Sequence, residues 1–128
     1  MKNSFHGRTM ATLTATGQEK VQKGFEPLVP GFVYAPFNDF EAIESLVTDK
    51  TTAIMLEPIQ GEGGVQVPPA NWLAEVQALC RQHGALLIVD EIQTGFCRTG
   101  KFFALEHSPT PIEPNILTMG KGIAGGFP

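Results

Sequence analysis

Lys121 and Asp90 are the residues of this sequence best suited to carry chemistry. Lys121 lies in the run Met-Gly-Lys-Gly-Ile-Ala-Gly-Gly-Phe-Pro (119–128), and Asp90 closes the apolar run Ala-Leu-Leu-Ile-Val (85–89). A primary amine among small neighbours can condense with an aldehyde to a Schiff base and, once released, act as a base. A carboxylate at the tip of a buried strand can keep a heteroaromatic nitrogen protonated, so that the ring draws electrons from a bound substrate. Each residue alone has a plainer reading. An aspartate after a strand often forms a turn or caps a helix, and most lysines are solvated. The glycines at 120, 122, 125 and 126 could equally form a flexible tail, and they do not make a dinucleotide fingerprint.

The elements that must position these residues read as alternating strands and helices. Gly31–Ala35 is a short β-rich run after Pro30. Asn38 can cap a helix, with Glu41 as its capping-box partner. Phe40, Ile43, Leu46 and Val47 then follow helical spacing. Thr52–Leu56 reads as a strand stopped by Glu57-Pro58, because proline cannot donate to a ladder. The glycine-rich stretch 60–69 is loop. A helix over about 70–82 carries the stripe Trp72, Val76, Leu79 and Cys80, with Gly84 as its stop. Residues 85–89 are apolar throughout, as in a strand buried on both faces. Prolines 109, 111 and 114 mark a loop, and Asn115–Met119 reads as a last strand. Strand, helix, strand, helix, strand predicts an α/β fold with a parallel-rich sheet and flanking helices. In such sheets ligands bind beyond the carboxyl ends of the strands. Glu57, Asp90 and Lys121 each follow a strand, so all three are expected on one edge.

Composition narrows the function. The 128 residues fit one domain, 42% hydrophobic and 17% charged, with a net charge of −4. No basic run suggests nucleic acid, and no apolar run is long enough to cross a bilayer. The opening Met-Lys-Asn-Ser-Phe-His-Gly-Arg has no signal-peptide apolar segment. Cys80 and Cys97 form neither a disulfide framework nor a metal motif, and His6, His83 and His107 are scattered. The expectation is two reduced thiols in a cytoplasmic protein without a metal site. A nucleotide-binding α/β module would need a phosphate loop, and the sequence has none. The sequence opens on a loop-like segment rather than on a recognisable first element.

Several motifs occur in one order: Phe5-His6-Gly7-Arg8-Thr9, Leu56-Glu57-Pro58-Ile59-Gln60-Gly61-Glu62-Gly63-Gly64, Val89-Asp90-Glu91-Ile92-Gln93-Thr94-Gly95, Arg98-Thr99-Gly100 and Gly120-Lys121. This pattern resembles the class III (ornithine-type) pyridoxal phosphate aminotransferases of fold type I. The stretch Asn3–Gly17, continuing through Pro27, places the resemblance nearest the members acting on N-acetylornithine. It covers essentially all of this chain and only the middle of a family member, so residues 1–128 would be part of the cofactor-binding large domain.

The resemblance implies a role for each matched residue. Lys121 would carry the cofactor, pyridoxal 5′-phosphate, and move the proton during transamination. Asp90 would hold the pyridine nitrogen protonated, and Gln93 would hydrogen-bond the phenolic oxygen. Phe5 and Ile92 would pack on the two ring faces, a flat and a stiff side chain suiting that sandwich. Arg8 would bind a substrate carboxylate through its planar fork. Glu62 would pair with an arginine later in the family's sequence, and Glu57 would support the site from behind. Glu91, beside Asp90, is given no part in the reaction. Cys97 stands where many relatives carry glycine or another small residue. The implied reaction moves the amino group of N-acetylornithine to 2-oxoglutarate in arginine biosynthesis, within a homodimer. Ornithine, succinylornithine or 4-aminobutyrate are the alternative donors. In the family the cofactor phosphate is held by a loop and helix N-terminus that precede the matched region. A different expectation therefore stands beside the enzyme: an inactive fragment that binds the cofactor weakly.

Overall fold

The computed structural model describes residues 1–127; Pro128, which ends the run around Lys121, lies outside the described residues. Along the chain lie helices α1 (Met10–Ala15), α2 (Glu19–Gln22) and α3 (Phe40–Leu46), strand β1 (Ala53–Leu56), helix α4 (Trp72–His83), strand β2 (Leu86–Asp90), a 3-10 turn (Ala104–His107) and strand β3 (Ile116–Thr118). The three strands form one parallel sheet in the order β1-β2-β3. Leu56 pairs with Val89, Val89 with Leu117 and Asp90 with Thr118, so the three carboxyl ends lie side by side. Parallel neighbours need long connections, and α4 lies in the one between β1 and β2. Asn115 extends the other junction, its backbone N–H donating to Leu87 O at 2.9 Å while its Oδ1 accepts from Leu87 N at 2.8 Å.

Helix α4 follows its apolar spacing. Trp72, Leu73, Val76, Leu79 and Cys80 are buried on one face. Gly84 ends the helix in the left-handed region at φ 66°, a conformation costly for any residue with a Cβ. Ala85 N–H then donates to Cys80 O at 2.9 Å, satisfying a carbonyl of the last turn. The buried face meets Ile54, Leu56, Leu87 and Val89 of the sheet. Phe37 stands edge-on to Trp72 with ring centroids 4.8 Å apart. Each large side chain buried in this layer contributes roughly 1.5–3 kcal/mol.

Several expectations need correction. Residues 31–35 form no strand; the segment has one backbone bond to Lys2, from Lys2 N–H to Ala35 O at 2.7 Å. β-rich composition does not make a strand where no neighbour supplies a ladder. The cap of α3 is Asp39, whose carboxylate accepts from Ala42 N at 2.9 Å. Asn38 sits one residue earlier, at φ 65°. In α3 only Ile43 is buried, and Leu46 is 43% exposed. The opening segment is not all loop: α1 and α2 form there, and Thr12 Oγ1 accepts from Thr9 N at 3.1 Å at the start of α1. Among the described residues, α4 covers one face of β2. Leu87 and Val89 point to α4, while Leu86 on the other face is 39% exposed. Ala53, Met55 and Ile88 line an open cleft of about 820 Å³ on that second face, opposite Phe32, Val33 and α1.

Candidate active site

The parallel register brings the three predicted ionisable groups to one edge. Glu57 follows β1, Asp90 ends β2 level with Thr118 of β3, and Lys121 comes three residues after Thr118. Asp90 is 5% exposed, and its Oδ2 lies 2.7 Å from His6 Nδ1. Its Oδ1 accepts from Ile92 N at 3.1 Å. Burial alone would push this carboxyl up. The hydrogen bond from His6, the bond from Ile92 N–H and the His6 charge outweigh burial and hold it below the ordinary aspartate value.

His6 is the functional neighbour that sequence reasoning did not assign. Its side chain is 1% exposed, and its backbone N–H donates to Thr16 Oγ1 at 2.8 Å. Its Nε2 is buried without a hydrogen-bond partner. The contact with Asp90 spans 84 positions of sequence, which no local pattern encodes. The available signal was its place between Phe5 and Arg8, both of which had been given roles.

Glu57 fixes the same N-terminal segment from behind. It is 3% exposed, and its Oε2 accepts from Phe5 N at 3.1 Å. Burial pushes its carboxyl up, and the Phe5 N–H bond opposes that rise without cancelling it. Phe5 is half-buried, and the exposed Arg8 guanidinium lies 5.9 Å from the Phe5 ring centroid, within cation–π range. Arg8 keeps its donors in solvent, where a carboxylate can reach them. Glu62 and Lys121 are also exposed, and neither forms an ion pair among the described residues.

The turn after β2 carries the remaining side chains. Ile92 is half-buried against Gly120, where a Cβ would sit 3.7 Å from Ile92 Cγ2. Gln93 comes close to the bare α-carbon of Gly61; a Cβ there would lie 2.5 Å from Gln93 Oε1. The Gln93 Nε2 is buried with no partner, a donor left open at an edge where ligands of such sheets bind. The Glu91 carboxylate is taken up by the 3-10 element and Thr94. It is fully buried and accepts from the Thr94 hydroxyl, from Ala104 N at 3.1 Å and from Leu105 N at 2.9 Å. Thus Glu91 ties the turn to the 3-10 element. Cys97 is exposed and left-handed at φ 65°, with Phe96 left-handed beside it at φ 59°. Among the described residues no cluster of three His, Cys, Asp or Glu side chains could hold a metal ion.

The carboxyl ends of a parallel α/β sheet thus carry a buried acid and an unpartnered amide donor, with an exposed lysine just beyond them. The chain belongs to the class-III aminotransferases, whose family pattern matches residues 1–128. It is 54% identical to the acetylornithine aminotransferase of Gloeobacter violaceus over 98% of its own length and 31% of that protein's. It superposes on the ornithine aminotransferase of Toxoplasma gondii ME49 with a TM-score of 0.90 at 40% identity, over 98% of this chain and 30% of the other. A second Toxoplasma gondii ornithine aminotransferase structure, crystallised with oxidised glutathione, is described with partial PLP occupancy at its active site. It matches with a TM-score of 0.85 at 40% identity, over 92% of this chain and 28% of that one. The chain spans about a third of the length of the relatives it matches.

Proposed function

We propose that the protein serves pyridoxal phosphate-dependent transamination, moving the side-chain amino group of N-acetylornithine to 2-oxoglutarate in arginine biosynthesis. The observation that carries this reading is Asp90: a buried carboxylate kept ionised by His6 and Ile92, on the strand beside the one leading to Lys121. The 54% identity to an acetylornithine aminotransferase supports the choice of donor.

The residues present fit the cofactor. When bound, pyridoxal phosphate supplies an aldehyde and a protonated pyridine ring that takes up negative charge from the substrate carbon. Asp90 holds the proton at the ring nitrogen, and His6 keeps Asp90 oriented and ionised. The unpartnered Gln93 Nε2 offers a donor to the phenolic oxygen. Phe5 and Ile92 supply a flat and a β-branched surface for the two ring faces. Lys121 Nζ would hold the cofactor and would move the proton at the substrate carbon. Arg8, with free donors at the rim, receives a substrate carboxylate. Glu62 completes the substrate side through an arginine supplied from elsewhere in the protein. Glu57 acts behind these groups by holding Phe5. Residues 1–128 form part of a cofactor-binding large domain in a cytoplasmic homodimer. No helix among the described residues is long and apolar enough to cross a membrane.

Ornithine as the donor is the second reading, supported by the 0.90 TM-score to an ornithine aminotransferase. Cofactor-loaded protein mixed with N-acetylornithine, ornithine or 4-aminobutyrate separates the two, read as conversion of the cofactor absorption and transfer to 2-oxoglutarate. The proposal predicts the fastest conversion with N-acetylornithine. Faster conversion with ornithine would transfer the assignment to the second reading. No conversion with any donor would mean that these 128 residues bind without turnover, as the fragment expectation holds.

A further inference from the structure

Lys121 is flanked by two glycines whose surroundings differ. At Gly120 an added Cβ would meet Ile92 Cγ2 at 3.7 Å and Cγ1 at 3.8 Å, ordinary contact distances. At Gly122 it would meet Phe96 Cβ at 2.8 Å, Gly95 O at 3.4 Å and Phe96 Cδ2 at 3.4 Å. The first of these is too short for any real Cβ, and the atom it meets is rooted in the backbone and cannot swing away. Phe96 is itself held. Gly95 N–H donates to Glu91 O at 2.8 Å. Glu91 N–H donates to Thr118 O at 2.9 Å, and the Glu91 carboxylate accepts from Ala104 and Leu105 N–H groups. The Phe96 ring stands edge-on to Phe102, with centroids 5.4 Å apart. The lysine turn is short and closed by its own bonds, from Ile123 N to Gly120 O at 2.7 Å and from Gly125 N to Gly122 O at 3.1 Å. Displacing Gly122 therefore moves Lys121 with it.

We propose that Phe96 is a positioning residue for Lys121, acting through the bare α-carbon of Gly122. The turn from Asp90 to Phe96 then sets both ends of the site: its first residue is the acid, and its last seats the backbone beside the amine. The inference rests on the assignment of Lys121 as the cofactor anchor. It concerns how that amine is placed, not what it does.

The test uses pyridoxal 5′-phosphate as the probe. The rate of borohydride-trapped label on the Lys121 peptide is read by mass spectrometry, beside the melting temperature without cofactor. Gly122→Ala is expected to slow labelling about 10- to 100-fold, as a misplacement near 1 Å does, and to lower the melting temperature. Gly120→Ala is expected to label at nearly the wild-type rate. Phe96→Gly suits the left-handed backbone at φ 59° and removes the obstructing Cβ. Combined with Gly122→Ala it should label faster than the two single effects multiplied together predict, and its loss in melting temperature should be smaller than the sum of the two single losses. If Gly122→Ala proves too unstable to label, the melting temperatures still decide, since relief of the contact requires the double variant to melt above Gly122→Ala and close to Phe96→Gly. Equal loss in both glycine variants, or independent effects of Phe96→Gly and Gly122→Ala, would overturn the inference alone. Wild-type protein that takes no label at Lys121 would overturn the cofactor assignment and the inference together.

Discussion

Asp90 and Glu57 are buried to similar extents at the ends of neighbouring strands, yet their carboxyls shift in opposite directions. The difference lies in their partners. Asp90 has an imidazole at 2.7 Å and a backbone N–H, whereas at Glu57 burial, aided by the Asp90 charge, prevails over the Phe5 N–H bond, the His6 charge and the Gly61 N–H. A carboxyl lowered in the folded state contributes stability above its ordinary value near 3.8, lost as pH falls through the folded value. Asp90→Asn is therefore expected to flatten the acid limb of stability against pH, measured by urea midpoints. Glu57 has the reverse sign: its stability is present below its ordinary value near 4.5 and lost as pH rises through the higher folded value. Glu57→Gln should remove that loss, and an unchanged slope above pH 4.5 would contradict it. Cys97 offers a different test. Its φ of 65° strains a residue with a Cβ, so Cys97→Gly should stabilise the protein by about 1 kcal/mol in the same titrations. At this scale the placement of Asp90 at the carboxyl end of one strand and of Lys121 just past another was legible in the sequence. His6 was not, because its meaning lies in a partner 84 positions away.

The elements came through where their signal was long or repeated. The stripe of α4 and the apolar runs of β1, β2 and β3 are patterns of several residues, each matched by burial or pairing. Helices α1 and α2 have 6 and 4 residues, too few for periodicity to declare itself. The start of α3 was misplaced by one residue because Asn38 and Asp39 are both good caps, and only the backbone decides between them. Asp39→Ala is expected to cost about 1 kcal/mol, read as a shift in the thermal midpoint. The stretch 31–35 failed as a strand because strands depend on neighbours, which sequence does not disclose.

Across the described residues, the α/β class and the shared strand edge were legible, while which face of β2 these residues cover was not. An apolar run reads the same whether one face or two are covered, and here Leu86 is 39% exposed against 1% for its neighbour Leu87. Leu87→Ala should cost roughly 2–5 kcal/mol. Leu86→Ala should cost about 1 kcal/mol or less, and equal losses in denaturant titrations would show that both faces are packed. Placing the cofactor, the acid and the amine at one edge is a claim about the molecule as a unit, since Phe5, Asp90, Gln93 and Lys121 come from all parts of the chain. Its most direct test is to add pyridoxal 5′-phosphate to the protein, reduce with borohydride and map the label by peptide mass spectrometry, in wild type and in Lys121→Ala. The account predicts one dominant label, on Lys121, absent from the variant. A label of equal yield on other lysines, undiminished in Lys121→Ala, would contradict it.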